Sequence, residues 1–195
     1  GSSLVGSEMC IRDSDHTVQK IVKKTFEDIT GFFNPDYALD GCSAPNFACS
    51  IQSLAKAMAV FANPENLQKN RIMSIAKLKN AVLSHPELIA GSDRLCTKII
   101  KKSNGRLIVK VGAEGVYTAM LLDKGLGMAL KISDGSKRAA ECLIITLLVM
   151  LGYFKKDDQD FLNYLNRPIY NWSEKKTGVI RASDMVWAKG NFLDI

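Results

Sequence analysis

Apolar residues recur at helical spacing through the first half of the chain. Between Asp15 and Thr30 they fall on one side of a helical projection, and Gly31 follows where such a helix would stop. Asn63-Pro64 and His85-Pro86 end later helical patterns, because the residue before a proline is turned away from helical geometry. The predicted helices cover 15–30, 45–62, 65–84 and 92–102, with Ser92 as the N-cap of the last.

The second half of the chain changes to shorter, strand-like runs. Three follow in close succession, at 106–111, 116–122 and 126–132, and Asp123-Lys124-Gly125 suits a hairpin turn between the last two. The pattern then predicts a buried helix over 136–152, a shorter helix over 157–166 and a strand over 177–187. Helices followed by an antiparallel meander predict an α+β fold, in which helices pack on an antiparallel sheet.

The first fourteen residues carry no such pattern, and we predict no helix or strand in them. They are rich in glycine and serine, and the string from Val5 to Ser14 resembles the translated read-through of a sequencing adapter. We therefore expect residues 1–14 to be a non-native, disordered segment. Residues 15–195 are then expected to be the C-terminal portion of a single domain whose natural start is missing.

Composition excludes several classes of function. The chain has 195 residues, 47% of them hydrophobic and 24% charged, as in an ordinary globular domain. Its net charge of +6 comes from scattered lysines without a basic stripe, so we expect no nucleic-acid binding. The longest apolar segment, Leu143–Met150, is too short to span a membrane. Five cysteines without a CxxC pair favour a reducing cytoplasm.

The first candidate for chemistry is the segment Lys110-Val-Gly-Ala-Glu-Gly-Val116, between two strand-like runs. The preceding run, Leu107-Ile-Val109, should be buried, which places the Lys110 ammonium at the rim of a core, where desolvation is costly unless the charge is paired or functional. Gly112 and Gly115 allow a close approach of the backbone to a ligand. A β-turn with a surface lysine is the structural alternative.

A second candidate is Asp40-Gly41-Cys42. A carboxylate and a thiolate two positions apart in a tight turn can share a metal site or bind a polar head group, although a plain turn with a half-buried thiol is the alternative. The two histidines, His16 and His85, lie far apart in the sequence. Histidine-rich zinc sites and Ser-His-Asp triads are therefore not expected.

Serine three residues before lysine is the spacing of serine–lysine enzymes, and it occurs three times here. Ser53 and Ser74 lie within predicted helices rather than at a helix start beneath a sheet, so we interpret these matches, and the third at Ser173, as chance. Lys176-Thr177-Gly178 looks like the lysine-threonine-glycine strand of penicillin-recognising enzymes but has no Ser-Asp-Asn companion.

Taken together, the motifs resemble the L-asparaginase II family, which has a serine-β-lactamase-like fold and hydrolyses L-asparagine to aspartate and ammonia. The resemblance runs in order over roughly 15–187. It is carried by these strings: Asp40-Gly-Cys-Ser-Ala-Pro-Asn-Phe47, His85-Pro-Glu-Leu-Ile-Ala-Gly91, Arg94-Leu-Cys-Thr97, Lys110-Val-Gly-Ala-Glu-Gly-Val-Tyr117, Gly125-Leu-Gly-Met-Ala-Leu-Lys-Ile132, Asp134-Gly135 and Asn171-Trp172.

The resemblance implies roles for four residues. Lys110 resembles the catalytic lysine paired with a second serine, and Cys42 resembles one ligand of a zinc ion that the family holds with two cysteines and a lysine. Asp40 resembles the carboxylate that holds the substrate or the zinc-bound water, and Gly112 is expected to contact the substrate. The resemblance further implies L-asparagine as the ligand and a cytoplasmic homodimer.

The departures from the family pattern lead to a further expectation. The catalytic serines, the nucleophile's lysine and the remaining zinc ligands belong to the first half of the family sequence, which is not found here. We therefore expect the isolated chain to be inactive. Two alternatives stay open, a penicillin-recognising or β-lactamase-like acyl-transfer enzyme and a non-catalytic remnant that acts as an interaction module.

Overall fold

The structure, a computed structural model, describes residues 7–188 and has the predicted α+β architecture. A three-stranded antiparallel sheet lies between helices on both of its faces, and two separate β-hairpins flank it. In chain order the elements are α1 (Ser7–Arg12), α2 (Thr17–Thr30), β1 (Tyr37–Leu39), β2 (Pro45–Phe47), α3 (Ile51–Ala62), α4 (Lys69–Ser84), α5 (Glu87–Ala90), α6 (Leu95–Lys102), β3 (Leu107–Val111), β4 (Val116–Leu121), β5 (Leu126–Lys131), α7 (Lys137–Met150), α8 (Leu162–Leu165), β6 (Arg167–Tyr170), β7 (Lys176–Ile180) and α9 (Asp184–Ala188).

The central sheet has the strand order β3-β4-β5, and its three strands confirm the prediction. Lys110 pairs with Thr118 and Val111 pairs with Tyr117, so these two pairs lie on opposite faces. We call the face that carries Tyr117 the core face and the other the Lys110 face. Because β4 lies in the middle, β3 is an edge strand of this sheet.

The core face is covered by α6, α7 and the segment around α8. Ile99, Ile144 and Phe161 are fully buried there against the strand residues Leu107 and Ala119. Helix α7 is the buried helix predicted from its apolar run, and Ser136 caps it by accepting a hydrogen bond from the Ala139 amide. Among residues 7–188, no helix is both long and apolar enough to cross a membrane.

On the Lys110 face, helix α3 packs directly on β5. A Cβ atom built at Gly127 would lie 2.1 Å from the Ala55 carbonyl oxygen and 2.2 Å from the Ala59 nitrogen. Only glycine allows this backbone contact, because any side chain would push the helix from the strand. Helices α2 and α4 join α3 and leave an apolar groove between the three, which we call the α2–α4 groove.

Several predicted boundaries are wrong in detail. Residues 45–47 form a strand paired with β1, and Ser50 caps α3 by accepting from the Ser53 amide. Arg94, not Ser92, occupies the N-cap position of α6. The helix predicted over 157–166 is reduced to α8, and the strand predicted over 177–187 is divided between β7 and α9. In these places the apolar pattern continues past the residues where the regular element ends.

The N-terminal segment also differs from expectation. Residues 7–12 form helix α1, where no element was predicted, while residues 1–6 lie outside the described part of the chain. Arg12 donates a hydrogen bond to the Cys42 carbonyl oxygen at 2.8 Å, and the Gln19 amide donates to the Ile11 carbonyl. Order in this helix does not test whether the segment is native, and that interpretation stays a prediction.

Candidate functional site

Lys110 lies near the end of edge strand β3. The alternation of the strand sends Val109 into the core and turns Lys110 to the opposite face, where its side chain is exposed. Its ammonium donates to the Val111 carbonyl oxygen at 2.6 Å. The prediction that this charge lies at the desolvated rim of a core is therefore wrong, because solvent reaches the side chain. Lys110 has no acidic partner among residues 7–188.

Gly112 begins the tight turn that joins β3 to β4. Its amide donates to the Val116 carbonyl oxygen at 2.8 Å, so this N–H is engaged within the turn. Gly115 has a φ of 72°, and a Cβ there would lie 2.8 Å from the Ile132 Cβ. The glycines are thus explained by the turn itself, and the expected contact of Gly112 with substrate stays a prediction.

Asp40 and Cys42 lie in the turn between β1 and β2. The Asp40 amide donates to the Ala44 carbonyl oxygen at 2.9 Å, and the Ser43 amide donates to the Asp40 carbonyl oxygen at 2.8 Å. Ser43 has a φ of 68°, which completes the reversal of the chain. The side chains of Asp40 and Cys42 are both exposed at the tip of this hairpin.

The two candidate regions are not joined in the structure. Within residues 7–188, no hydrogen bond or ion pair connects the 40–44 turn to strand β3. The turn instead contacts helix α1 through Arg12. The sequence reasoning missed this partner because it excluded residues 1–14. The roles of Lys110, Asp40 and Cys42 in one site therefore stay predictions.

The zinc expectation can be compared with the available donors. No group of three or more histidine, cysteine, aspartate or glutamate side chains within residues 7–188 could hold a metal ion. His16 accepts a hydrogen bond from the Val18 amide as the N-cap of α2, and His85 lies 3.7 Å from Glu87. Cys42 alone does not make a zinc site, because structural zinc requires four ligands and catalytic zinc three. We derive no chemistry through zinc.

The serine–lysine pairs also have structural explanations. Ser53 was predicted to lie inside a helix and not at the start of a helix beneath the sheet. This prediction is wrong, because Ser53 lies in the first turn of α3 and α3 packs on the sheet. Its hydroxyl accepts from the Ser50 hydroxyl at 3.0 Å, while the Lys56 ammonium would lie 2.7 Å from a Cβ at Gly31. No hydrogen bond between Ser53 and Lys56 is present in the described chain.

The other two matches are no closer to a serine–lysine site. The Ser74 hydroxyl donates to the Asn70 carbonyl oxygen within α4. Lys176-Thr177-Gly178 lies in β7, which pairs with β6 in a separate hairpin and is not part of the central sheet. This position differs from that of Lys110, whose strand belongs to the sheet.

A polar cleft on the core-face side was not predicted as a site. Its volume is about 520 Å³, and it lies among the start of α6, the start of α7 and the α8–β6 segment. Glu141 of α7 is 9% exposed, and its carboxylate oxygens lie 3.6 Å from Lys137 and 3.5 Å from Arg167. The acidic Glu141 at the start of the apolar run of α7 was the sequence signal for this cleft.

Tyr117, which follows the Lys110–Val116 segment in the chain, has its side chain buried in the core. Its hydroxyl and the Cys96 sulfur are 3.0 Å apart, and both side chains are buried. Desolvation by burial, followed by the proximity of Cys96, raises the pKa of Tyr117 far above its ordinary value. The tyrosine is therefore neutral throughout the physiological range and acts as a hydrogen-bonding group of the core.

Two comparisons with known proteins bear on the function. The sequence model of the L-asparaginase II family matches residues 10–182, which is most of the chain. This match begins inside α1, within the segment that we expected to be non-native. The comparison with curated proteins gives no match.

Proposed function

The chain belongs to the L-asparaginase II family, and we propose that it supplies one wall of an active site that hydrolyses L-asparagine to L-aspartate and ammonia. The observation that carries the proposal is the Lys110 ammonium. It lies exposed on the edge strand of the central sheet, and its hydrogen bond goes to its neighbour's carbonyl oxygen. A lysine without an acidic partner can exchange a proton with a hydroxyl group placed beside it.

The proposed reaction is a serine acyl-enzyme route. A serine hydroxyl attacks the side-chain carboxamide carbon of L-asparagine, and its proton passes to the departing nitrogen, so that ammonia leaves and an ester remains on the serine. Water then attacks the ester, which releases L-aspartate and restores the hydroxyl. Lys110 is proposed to hold and transfer the proton between the serine oxygen and the leaving nitrogen.

The nucleophile is proposed to be a serine that is not among the 195 residues of this chain. Support comes from the hydroxyl groups that the structure describes, of which none donates to or accepts from the Lys110 ammonium. The hydroxyl of Thr118, cross-strand from Lys110, donates instead to the Lys110 carbonyl oxygen at 3.3 Å. We therefore propose that the 195-residue chain by itself is inactive. We also propose that it forms part of a serine-β-lactamase-like fold that is incomplete in this chain.

The remaining assignments are proposals that rest on the family resemblance. Asp40 and Gly112 would contact L-asparagine, and Cys42 would contribute one zinc ligand together with donors outside residues 7–188. The exposed Asp40 and Cys42 are accessible to such partners. We further propose a cytoplasmic location, which the five cysteines free of disulfides support, and, from the family resemblance, a homodimer of the full-length protein. Light scattering of the purified protein would test the dimer.

The test uses the 195-residue chain and the product of the complete coding sequence. We expect no ammonia from L-asparagine with the chain alone, and steady ammonia release with the complete product. In the complete product, Lys110→Met should lower kcat by about a hundredfold or more, as expected for loss of a proton-transfer group. Lys101→Met, which removes another exposed lysine, is the matched control and should leave kcat unchanged.

Three outcomes would overturn parts of this proposal. Ammonia release by the 195-residue chain would show that its nucleophile is present. Equal activity of the Lys110→Met variant and the Lys101→Met control would remove Lys110 from the reaction. Covalent labelling of the complete product by a fluorescent penicillin, without hydrolysis of L-asparagine, would favour a penicillin-recognising enzyme instead.

A further inference from the structure

The cleft around Glu141 is separate from the proposed active-site wall. It opens beside the helices that cover the core face, while Lys110 projects from the opposite face of the sheet. A ligand in this cleft would therefore bind apart from Lys110.

Four cationic side chains line the cleft and are incompletely neutralised. Lys137 and Arg167 share the single carboxylate of Glu141. Arg94 makes no side-chain hydrogen bond or ion pair within residues 7–188, and the Lys98 ammonium lies 6.0 Å from the centre of the Tyr164 ring. Arg94, the N-cap residue of α6, thus faces the cleft without an acidic partner among residues 7–188, whereas the charge of Lys98 acts on Asp160.

The two other acidic residues that line the cleft, Asp93 and Asp160, offset only part of this positive charge. Asp160 forms a short ion pair with Lys102, whose ammonium also lies 2.6 Å from Asp158. Asp93 is exposed and has no ion pair among the described residues. The cleft therefore carries an excess of positive charge together with one buried carboxylate.

We propose that this cleft binds an acidic α-amino acid. Its two carboxylates would be received by the cations of the two walls, Arg94 with Lys98 on α6 and Lys137 with Arg167 opposite. Its ammonium would be received by Glu141, whose oxygens make ion pairs but no hydrogen bond within residues 7–188. Arginine pairs with a carboxylate through two parallel N–H donors, which favours a carboxylate over a point-like anion.

The test measures binding to the 195-residue chain by calorimetry, with L-glutamate, glutarate and inorganic phosphate as probes. L-Glutamate is expected to bind more tightly than glutarate, which lacks the amino group, and more tightly than phosphate. Arg94→Ala should weaken L-glutamate binding about tenfold, as expected for loss of a charge-assisted contact. Lys101→Ala is the control, because it removes a lysine of the same helix that lies outside the cleft.

Two further variants locate the site. Glu141→Gln should weaken L-glutamate binding while glutarate binding is retained, and the retained binding shows that the variant is folded. Lys110→Met should leave the affinity for L-glutamate unchanged. This separates the cleft from the proposed active site, because neither measurement depends on hydrolysis.

Four results would overturn the proposal: no binding of L-glutamate at millimolar concentration, equal affinity for phosphate and L-glutamate, equal affinity of the Arg94→Ala variant and the control, or loss of binding in Lys110→Met.

Discussion

The helices on the two faces of the central sheet differ in how completely they bury their apolar residues. On the core face, Ile99 of α6 and Ile144, Ile145 and Leu148 of α7 are 0% exposed. On the other side, α2–α4 enclose a groove of about 610 Å³ lined mainly by apolar residues, while Ile21 and Leu78 are 60% and 54% exposed. The helices on the core face form a closed hydrophobic core with the sheet, whereas the α2–α4 layer is attached to the sheet mainly through the packing of α3 on β5.

Stability and the proposed chemistry are therefore located in different layers of the molecule. Lys110 is on the face with the incomplete layer, where side chains remain accessible. The core face supplies most of the buried apolar area that stabilises the sheet. We therefore expect substitutions to have large effects on the core face and small effects around the α2–α4 groove.

The largest effect is expected from Ile144→Ala. The side chain is fully buried between α7 and the sheet, and its removal leaves a cavity that the surrounding helices cannot fill. The free energy of unfolding should fall by about 3 kcal/mol or more. Urea unfolding followed by circular dichroism would measure it.

Leu78→Ala is the matched substitution in the α2–α4 groove. Because the side chain is largely exposed, the free energy of unfolding should change by less than about 0.5 kcal/mol. Similar losses in the two variants would mean that both helical layers are equally buried in solution.

Gly127→Ala should have the next largest effect. The new methyl group would overlap backbone atoms of α3, and backbone cannot move aside as a flexible side chain can. We expect a loss of about 2–3 kcal/mol, with α3 displaced from β5. Gly178→Ala, in strand β7, is the control, because its φ is not positive and a Cβ there would lie 3.6 Å from the nearest atom, an ordinary contact. A loss in Gly127→Ala no larger than in the control would contradict direct packing of α3.

Thiol labelling gives a smaller and more local comparison. Cys10 and Cys42 are exposed and should react first with a disulfide reagent, and Cys49 should react more slowly because burial raises its pKa. Cys96 and Cys142 lie in the core-face layer, and burial also raises the pKa of Cys142. These two should react only when the protein unfolds.

Mass spectrometry of partially labelled protein would assign the order, with labelling in denaturant as the control for five reactive thiols. Early labelling of Cys142 would mean that the core-face layer opens readily.

The smallest effect is expected from Lys102→Met at the edge of the core-face layer. The hydrogen bond and charge of Lys102 lower the pKa of Asp160, and Asp158 and Asp160 raise the pKa of Lys102. Because the carboxyl pKa is lowered in the folded state, the ion pair stabilises the fold at pH values above the ordinary aspartate pKa. This stabilisation is lost as the pH falls through the lowered pKa. Because the lysine pKa is raised in the folded state, the ion pair also stabilises the fold at pH values below the ordinary lysine pKa. That stabilisation is lost as the pH rises through the raised pKa.

Lys102→Met should therefore lower the urea midpoint slightly at pH 7 and reduce its decline below about pH 4. Lys24→Met, on α2, is the control and should leave the pH dependence unchanged. An unaltered acid decline in Lys102→Met would show that the pairing with Asp158 and Asp160 does not persist in solution.

Local patterns were sufficient to predict the three strands of the central sheet and helix α7. β3, β4 and β5 are joined by short turns, so each strand pairs with its neighbour in the chain and alternation alone sets the register. The apolar run of α7 and its cap at Ser136 are likewise local features. Residues 45–47 were predicted as part of a helix, whereas they form a strand that pairs with β1. This pairing depends on the turn at residues 40–44, and the spacing of apolar residues contains no information about that turn.

The candidate site was predictable only as separate parts. The segments at Asp40–Cys42 and Lys110–Val116 are visible in the sequence, and the structure places each in a tight turn. Whether Lys110 is exposed depends on how far helix α3, which packs on β5 and β4, extends over the sheet toward the edge strand β3. Whether Glu141 is paired depends on Arg167, which β6 brings back to α7 from a distant part of the chain.

Short-range periodicity and ordered motifs in the sequence were enough to predict the α+β class, the antiparallel meander and the family. The packing of the helical layers was needed to show that Lys110 is accessible, that Gly127 contacts α3 and that four cations line the cleft of Glu141. These properties arise from contacts between residues far apart in the chain, and such contacts are set by how the helical layers pack on the sheet.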